Sequence, residues 1–66
     1  MRVSGERIKK FREEKGISAA ELAAAADYRT PRRINQIEAG EVADINRNIA
    51  LAIARKLGRK LEEIAL

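Results

Sequence analysis

Apolar residues in this chain recur at three- and four-residue intervals and no run alternates, so the pattern predicts helices and no strands. Ile8 and Phe11 mark the inward face of a first helix over about Gly5 to Lys15, with Ser4 as its N-cap. Ser18 and Glu21 are spaced as a capping box that opens a second helix, continuing through Leu22 and an alanine run to about Ala26. Asp27-Tyr28-Arg29 then reads as a turn. A third helix follows over about 31–39, with Thr30 as N-cap, Pro31 in the first helical position and Gly40 as the left-handed stop. Glu41 to Ile45 reads as a loop, and Asp44 or Asn46 caps a fourth helix that reaches about Leu57. Gly16 and Gly58 also sit where a helix stop is wanted. A last turn or two covers Leu61 to Ala65. No repeat, low-complexity linker or second core pattern interrupts the chain, so residues 1–66 are expected to form a single all-α domain.

The third helix has the most informative faces. At about 100° per residue, Ile34 and Ile37 share one side, while Arg32, Gln36 and Ala39 share the opposite one. A guanidinium can fork onto guanine and a carboxamide onto adenine, and a small Ala39 lets a helix lie deep in a groove. A buried helix would not carry that outer face; a helix in the major groove of DNA would. Arg32 and Gln36 are therefore the expected base readers. Ser18, Arg29, Thr30, Arg33, Asn35 and Arg47 are expected to flank them or to hold the DNA backbone.

Composition narrows the alternatives. The chain has 66 residues, a formal charge of +4, no Cys and no His. Disulfides, thiol or imidazole catalysis and ordinary zinc sites are thus excluded, and no cofactor or metal is expected. Adjacent glutamates such as Glu13-Glu14 and Glu62-Glu63 splay apart on a helix, so the sequence is not expected to encode an enzyme. No apolar run approaches the roughly 20 residues of a membrane span, and no signal-peptide core is present. A cytoplasmic, nucleoid-associated location is expected. The charge placement adds to the DNA reading, because Arg29, Arg32 and Arg33 lie in a stretch without an acid between Asp27 and Glu38.

Two charged residues fall at the edges of inward faces. Arg12 lies four residues after Ile8, and Glu38 lies four after Ile34. Such positions are tolerated mainly when the two groups meet, an Arg fork on a carboxylate; otherwise both must snorkel to water. A partly buried Arg12–Glu38 bridge between the first and third helices is expected.

Two short helices, the second with an exposed polar face, make a helix-turn-helix. In Gly16-Ile17-Ser18, Glu21-Leu22-Ala23, Ile34-Asn35-Gln36-Ile37-Glu38-Ala39-Gly40 and Ile53-Ala54-Arg55-Lys56-Leu57-Gly58 followed by Leu61-Glu62-Glu63-Ile64, the chain resembles the phage repressor and Cro-like helix-turn-helix family. The resemblance runs from about Gly5 to Leu66. It implies a five-helix, lambda-repressor-like fold, the third helix in the major groove of double-stranded DNA, and a homodimer on a palindromic operator. It also implies an Arg–Glu bridge at Arg12 and Glu38. Three departures stand out. The turn after the second helix is one residue longer than usual, with Asp27 where Gly is common. Ala19 replaces a Gln that in many relatives clamps a phosphate. The loop after the third helix carries Glu41 and Asp44 where it is often basic, leaving Asn46, Arg47 and Asn48 to donate to phosphate.

Ile49-Ala50-Leu51-Ala52-Ile53-Ala54 is apolar all round, more than one core face requires. Either this helix is central within one subunit, or part of it, with Ile45, Leu61 or Leu66, is covered by a second subunit. The acidic loop and the missing Gln also leave open a protein-interaction module on the same fold, such as the antitoxin partner of a toxin.

Overall fold

The computed structural model describes residues 1–66, in five helices: α1 Gly5–Lys15, α2 Ala19–Ala25, α3 Arg32–Glu38, α4 Arg47–Leu57 and α5 Leu61–Ile64. Local chemistry accounts for most of their ends. Ser4 Oγ accepts the Arg7 N–H at 3.2 Å, Ser18 Oγ accepts that of Glu21 at 3.0 Å, and Asn46 Oδ1 accepts that of Asn48 at 2.7 Å. Asn46, rather than Asp44, is thus the cap of α4. Gly16 and Gly58 close α1 and α4 in the left-handed conformation.

The capping box at α2 forms only in part. Glu21 does not reach back to the Ser18 backbone; instead the Ser18 hydroxyl donates to Glu21 Oε1 at 3.4 Å. The reach-back half is made at α5 instead, where Glu63 Oε2 accepts the Lys60 N–H at 2.8 Å while the Glu63 N–H donates to the Lys60 carbonyl at 3.0 Å. The bond from the Lys60 N–H, aided by Arg59, holds the Glu63 carboxyl below the usual range. The ends of α2 and α3 also fall slightly inside the predicted ones. Ala26 caps α2, and Pro31, not Thr30, is the N-cap of α3, with no side-chain cap bond, while Ala39 closes it.

The core is thin and aliphatic. Ile8, Leu22, Ile34, Ile37, Ile53 and Ile64 are fully buried, with Val3, Ala50 and Ala54 among them. Within α4, the inward side is Ala50, Ile53, Ala54 and Leu57, and Ile49 packs partly against it. Leu51 is half-exposed and lies outside that cluster. Ile45 is buried within the same chain, and Leu61 packs partly on its core, which leaves Leu66, 75 % exposed, as the large apolar residue facing solvent. Phe11 is only half-buried, and the Arg59 guanidinium lies 4.1 Å from its ring centroid, a cation–π lid over an incompletely covered aromatic.

One element has no counterpart in the sequence pattern. Met1–Ser4 is extended and threads between the α3–α4 loop and the end of the chain. Val3 N–H donates to Ala43 O at 2.8 Å and Ile45 N–H to Met1 O at 2.9 Å on one side. Ser4 N–H to Ile64 O at 2.7 Å and Leu66 N–H to Arg2 O at 3.0 Å complete the other. These pairings form isolated bridges rather than a sheet, and they bury Val3. The helical expectation holds because so short a segment shows no alternation to read.

The turn between α2 and α3 carries a strained residue. Asp27 has φ 64°, the left-handed region that an L side chain enters at a cost. Glycine there would relieve that cost, of roughly 1–2 kcal/mol, but would add unfolded-state entropy. Asp27→Gly is therefore expected to stabilise by about 0.5–1 kcal/mol and to raise the melting temperature by a few degrees. A lower melting temperature would mean that the Asp27 side chain stabilises the turn by more than the strain it costs.

Candidate nucleic-acid interface

The exposed side of α3 follows from its buried side. Ile34 and Ile37 are fixed in the core, so Arg32, Arg33 and Asn35 face solvent and Gln36 is half-exposed. Thr30, Arg32, Arg33 and Gln36 line one open hollow of about 370 Å³ that has no apolar residue in its wall. Thr30 Oγ1 accepts the Arg32 N–H at a long 3.4 Å, which orients the hydroxyl at the head of the helix. The chain's ion pairs are Met1–Asp44, Arg12–Glu38, Arg59–Glu14 and Arg59–Glu63, so Arg29, Arg32, Arg33 and Arg47 are all without a carboxylate partner.

The surroundings of α3 decide what can approach it. The carbonyl of Gln36 accepts the N–H groups of Glu41 at 2.9 Å and Val42 at 3.3 Å, which folds the acidic loop back against the end of the helix. Asp44 is partly neutralised there by the Met1 amino group at 3.1 Å, whereas Glu41 is exposed and unpaired. Beyond the loop, Arg47 is exposed at the start of α4. Ser18 stands exposed at the start of α2, its hydroxyl engaged with Glu21 as donor and acceptor. Arg33 also borders a second groove, floored by Tyr28, Val42, Ile45 and Ile49.

A partly buried clamp holds this surface in place. Arg12 Nε donates to Glu38 Oε2 at 2.7 Å and Nη2 to Glu38 Oε1 at 3.1 Å, a two-point fork. The side chains are 15 % and 6 % exposed. Nη1 donates to the Ile17 carbonyl at 3.0 Å, just before Ser18. One guanidinium thus joins α1, the start of α2 and the last residue of α3. Its bond to Glu38 raises the Arg12 pKa further above its ordinary value, so it stays charged.

Gly5 is a support that the sequence pattern does not single out. A Cβ placed on it would overlap the Ile37 carbonyl oxygen and stand 2.9 Å from the Ile37 carbonyl carbon. The N-terminus of α1 therefore rests directly on the backbone at the end of α3. Glycine inside a helix start, where a better helix former would fit, is the available signal.

No three acidic side chains converge in a way that could hold a metal ion, and no helix is long and apolar enough to cross a membrane. The arrangement is an open, cationic and hydrogen-bonding surface on a rigidly held short helix.

A helix-turn-helix family model matches residues 8–64, nearly the whole chain, and the five-helix arrangement fits the lambda-repressor-like fold. No curated protein and no solved structure matches it.

Proposed function

The chain belongs to the DNA-binding helix-turn-helix regulators of the Cro/C1 type, and from that membership we propose that it is a sequence-specific, repressor-like transcriptional regulator whose α3 lies in the major groove. The observation that carries this reading is the outer face of α3: guanidinium and carboxamide groups with no partner in their own chain, around a hollow lined by no hydrophobic residue. A protein-docking face would be expected to carry hydrophobic residues at its centre, and none lines this hollow. Arg32 and Gln36 read base edges. Arg29 and Arg47 hold phosphates on either side, while Ser18, Thr30 and Asn35 flank the reading face.

The active form in this reading is a homodimer on a palindromic operator. One seven-residue helix reads only a few base pairs, too few to select a site against a genome of competitors. Two copies related by a two-fold axis double the reading, with half-sites about 34 Å apart. Leu51, half-exposed outside the core, and the exposed Leu66 are the apolar groups that such a contact would cover.

Selection of bound sequences from a random duplex pool tests both parts. The expected result is a two-fold symmetric consensus and binding that weakens steeply with salt. Arg32→Ala and Gln36→Ala should each cost about 1–3 kcal/mol and relax one base pair of each half-site. An unchanged consensus in both variants would remove these residues from the reading role. One protein bound per asymmetric site would sink the dimer.

A further inference from the structure

Helical spacing places Arg33 about 100° from Arg32, at the flank where a long cation ordinarily meets phosphate. The folded surface places it differently. Arg33 lines the same hollow as Arg32, Gln36 and Thr30, and it is exposed with no carboxylate partner. We infer that Arg33 is a second guanine-reading residue, so that each half-site presents two guanines within the span of α3. This inference rests on the DNA-binding reading above and extends it to the operator's base composition.

The physical argument concerns what the hollow can receive. Two guanidiniums share one open concavity lined by no acidic and no hydrophobic residue. Like charges held together raise each other's energy until an acceptor enters. Guanine offers two acceptors, O6 and N7, in the plane and at the spacing that a guanidinium fork matches. Gln36, on the same wall, supplies the carboxamide suited to a neighbouring adenine. The contribution comes from the side chains and does not call on the amides of so short a helix. The unpaired Glu41 lies beyond the other end of α3, in the loop folded back on Gln36. Toward the second groove, which Arg33 also borders, Asp44 stands on the same wall and, although partly neutralised by the Met1 amino group, makes that side less favourable to a phosphate.

The two roles separate cleanly in one experiment. Bound duplexes are selected from a random pool with the parent, Arg32→Ala, Arg33→Ala and Arg33→Lys, and the salt dependence of each is measured on the parent's consensus. Arg33→Ala is expected to lose preference for one guanine by about 5- to 150-fold. That guanine should differ from the one Arg32→Ala relaxes, and preference elsewhere should be unchanged. Arg33→Lys should keep general affinity but recover only part of the guanine preference, because an ammonium cannot fork. Uniform weakening by Arg33→Ala, with an intact consensus and full rescue by lysine, would overturn the inference and leave the DNA-binding reading standing. A parent that selects no consensus would overturn both. Arg33 is exposed, so the variants should melt with the parent; if Arg33→Ala does not, Arg33→Lys alone decides between the outcomes.

Discussion

Glu38→Ala is expected to destabilise the free protein by up to about 3–5 kcal/mol, the cost of leaving one member of a buried ion pair alone, reduced to the extent that water reaches Arg12. The magnitude follows from burial. Glu38 is 6 % and Arg12 15 % exposed on their side chains, so removing the carboxylate strands a guanidinium that water cannot adequately solvate. The Arg12 bond to the Ile17 carbonyl would remain, but a single neutral acceptor does not replace a two-point carboxylate. Domains of this size have little stability to lose, and a change this large would unfold much of the population at moderate temperature. Thermal or urea unfolding without DNA measures it. The double variant Arg12→Met/Glu38→Leu provides the control. It replaces both charges by apolar groups of similar volume and should recover most of the loss. Parent-like melting of Glu38→Ala would show that the bridge is solvated and contributes little.

Gly5→Ala should destabilise by about 3 kcal/mol, near the upper end for overpacking. The sign is the informative part. In an ordinary helix this change stabilises by roughly 0.5–1 kcal/mol, because alanine loses less backbone entropy than glycine. Here the added methyl would overlap the Ile37 carbonyl, a backbone atom that cannot rotate aside. Relief would require α1 and the end of α3 to separate, which would also strain the Arg12–Glu38 fork. The exposed neighbouring residue supplies the reference: Glu6→Ala should change stability by less than about 0.5 kcal/mol. A Gly5→Ala protein as stable as the parent would mean that α1 can shift without cost. Loss of DNA affinity at temperatures where the variant is still folded would add that the shift reaches the reading face.

These two sites differ in how visible they are along the chain. Arg12 and Glu38 each sit four residues after a core isoleucine, so spacing alone puts both on inward edges. Which donor meets which oxygen, and that the third arm of Arg12 reaches Ile17, depends on how three segments come together. Gly5 gives no comparable sign, because the atom that excludes a side chain belongs to Ile37, 32 positions away.

The same division runs through the rest of the molecule. The sequence by itself determined the helices, their caps at Ser4 and Ser18, their stops at Gly16 and Gly58, and the two-faced character of α3. All of these depend on groups within about four residues of one another, the reach of a helical hydrogen bond. Only the tertiary structure decided the extended path of Met1–Ser4, whose partners lie at Ala43, Ile45, Ile64 and Leu66. It also decided the inward position of Ile45, the left-handed Asp27, and the hollow that Arg33 shares with Arg32. A side chain's angle about a helix is set locally. The shape of the space it enters is set by whatever distant backbone packs beside it, and no short window of residues contains that information.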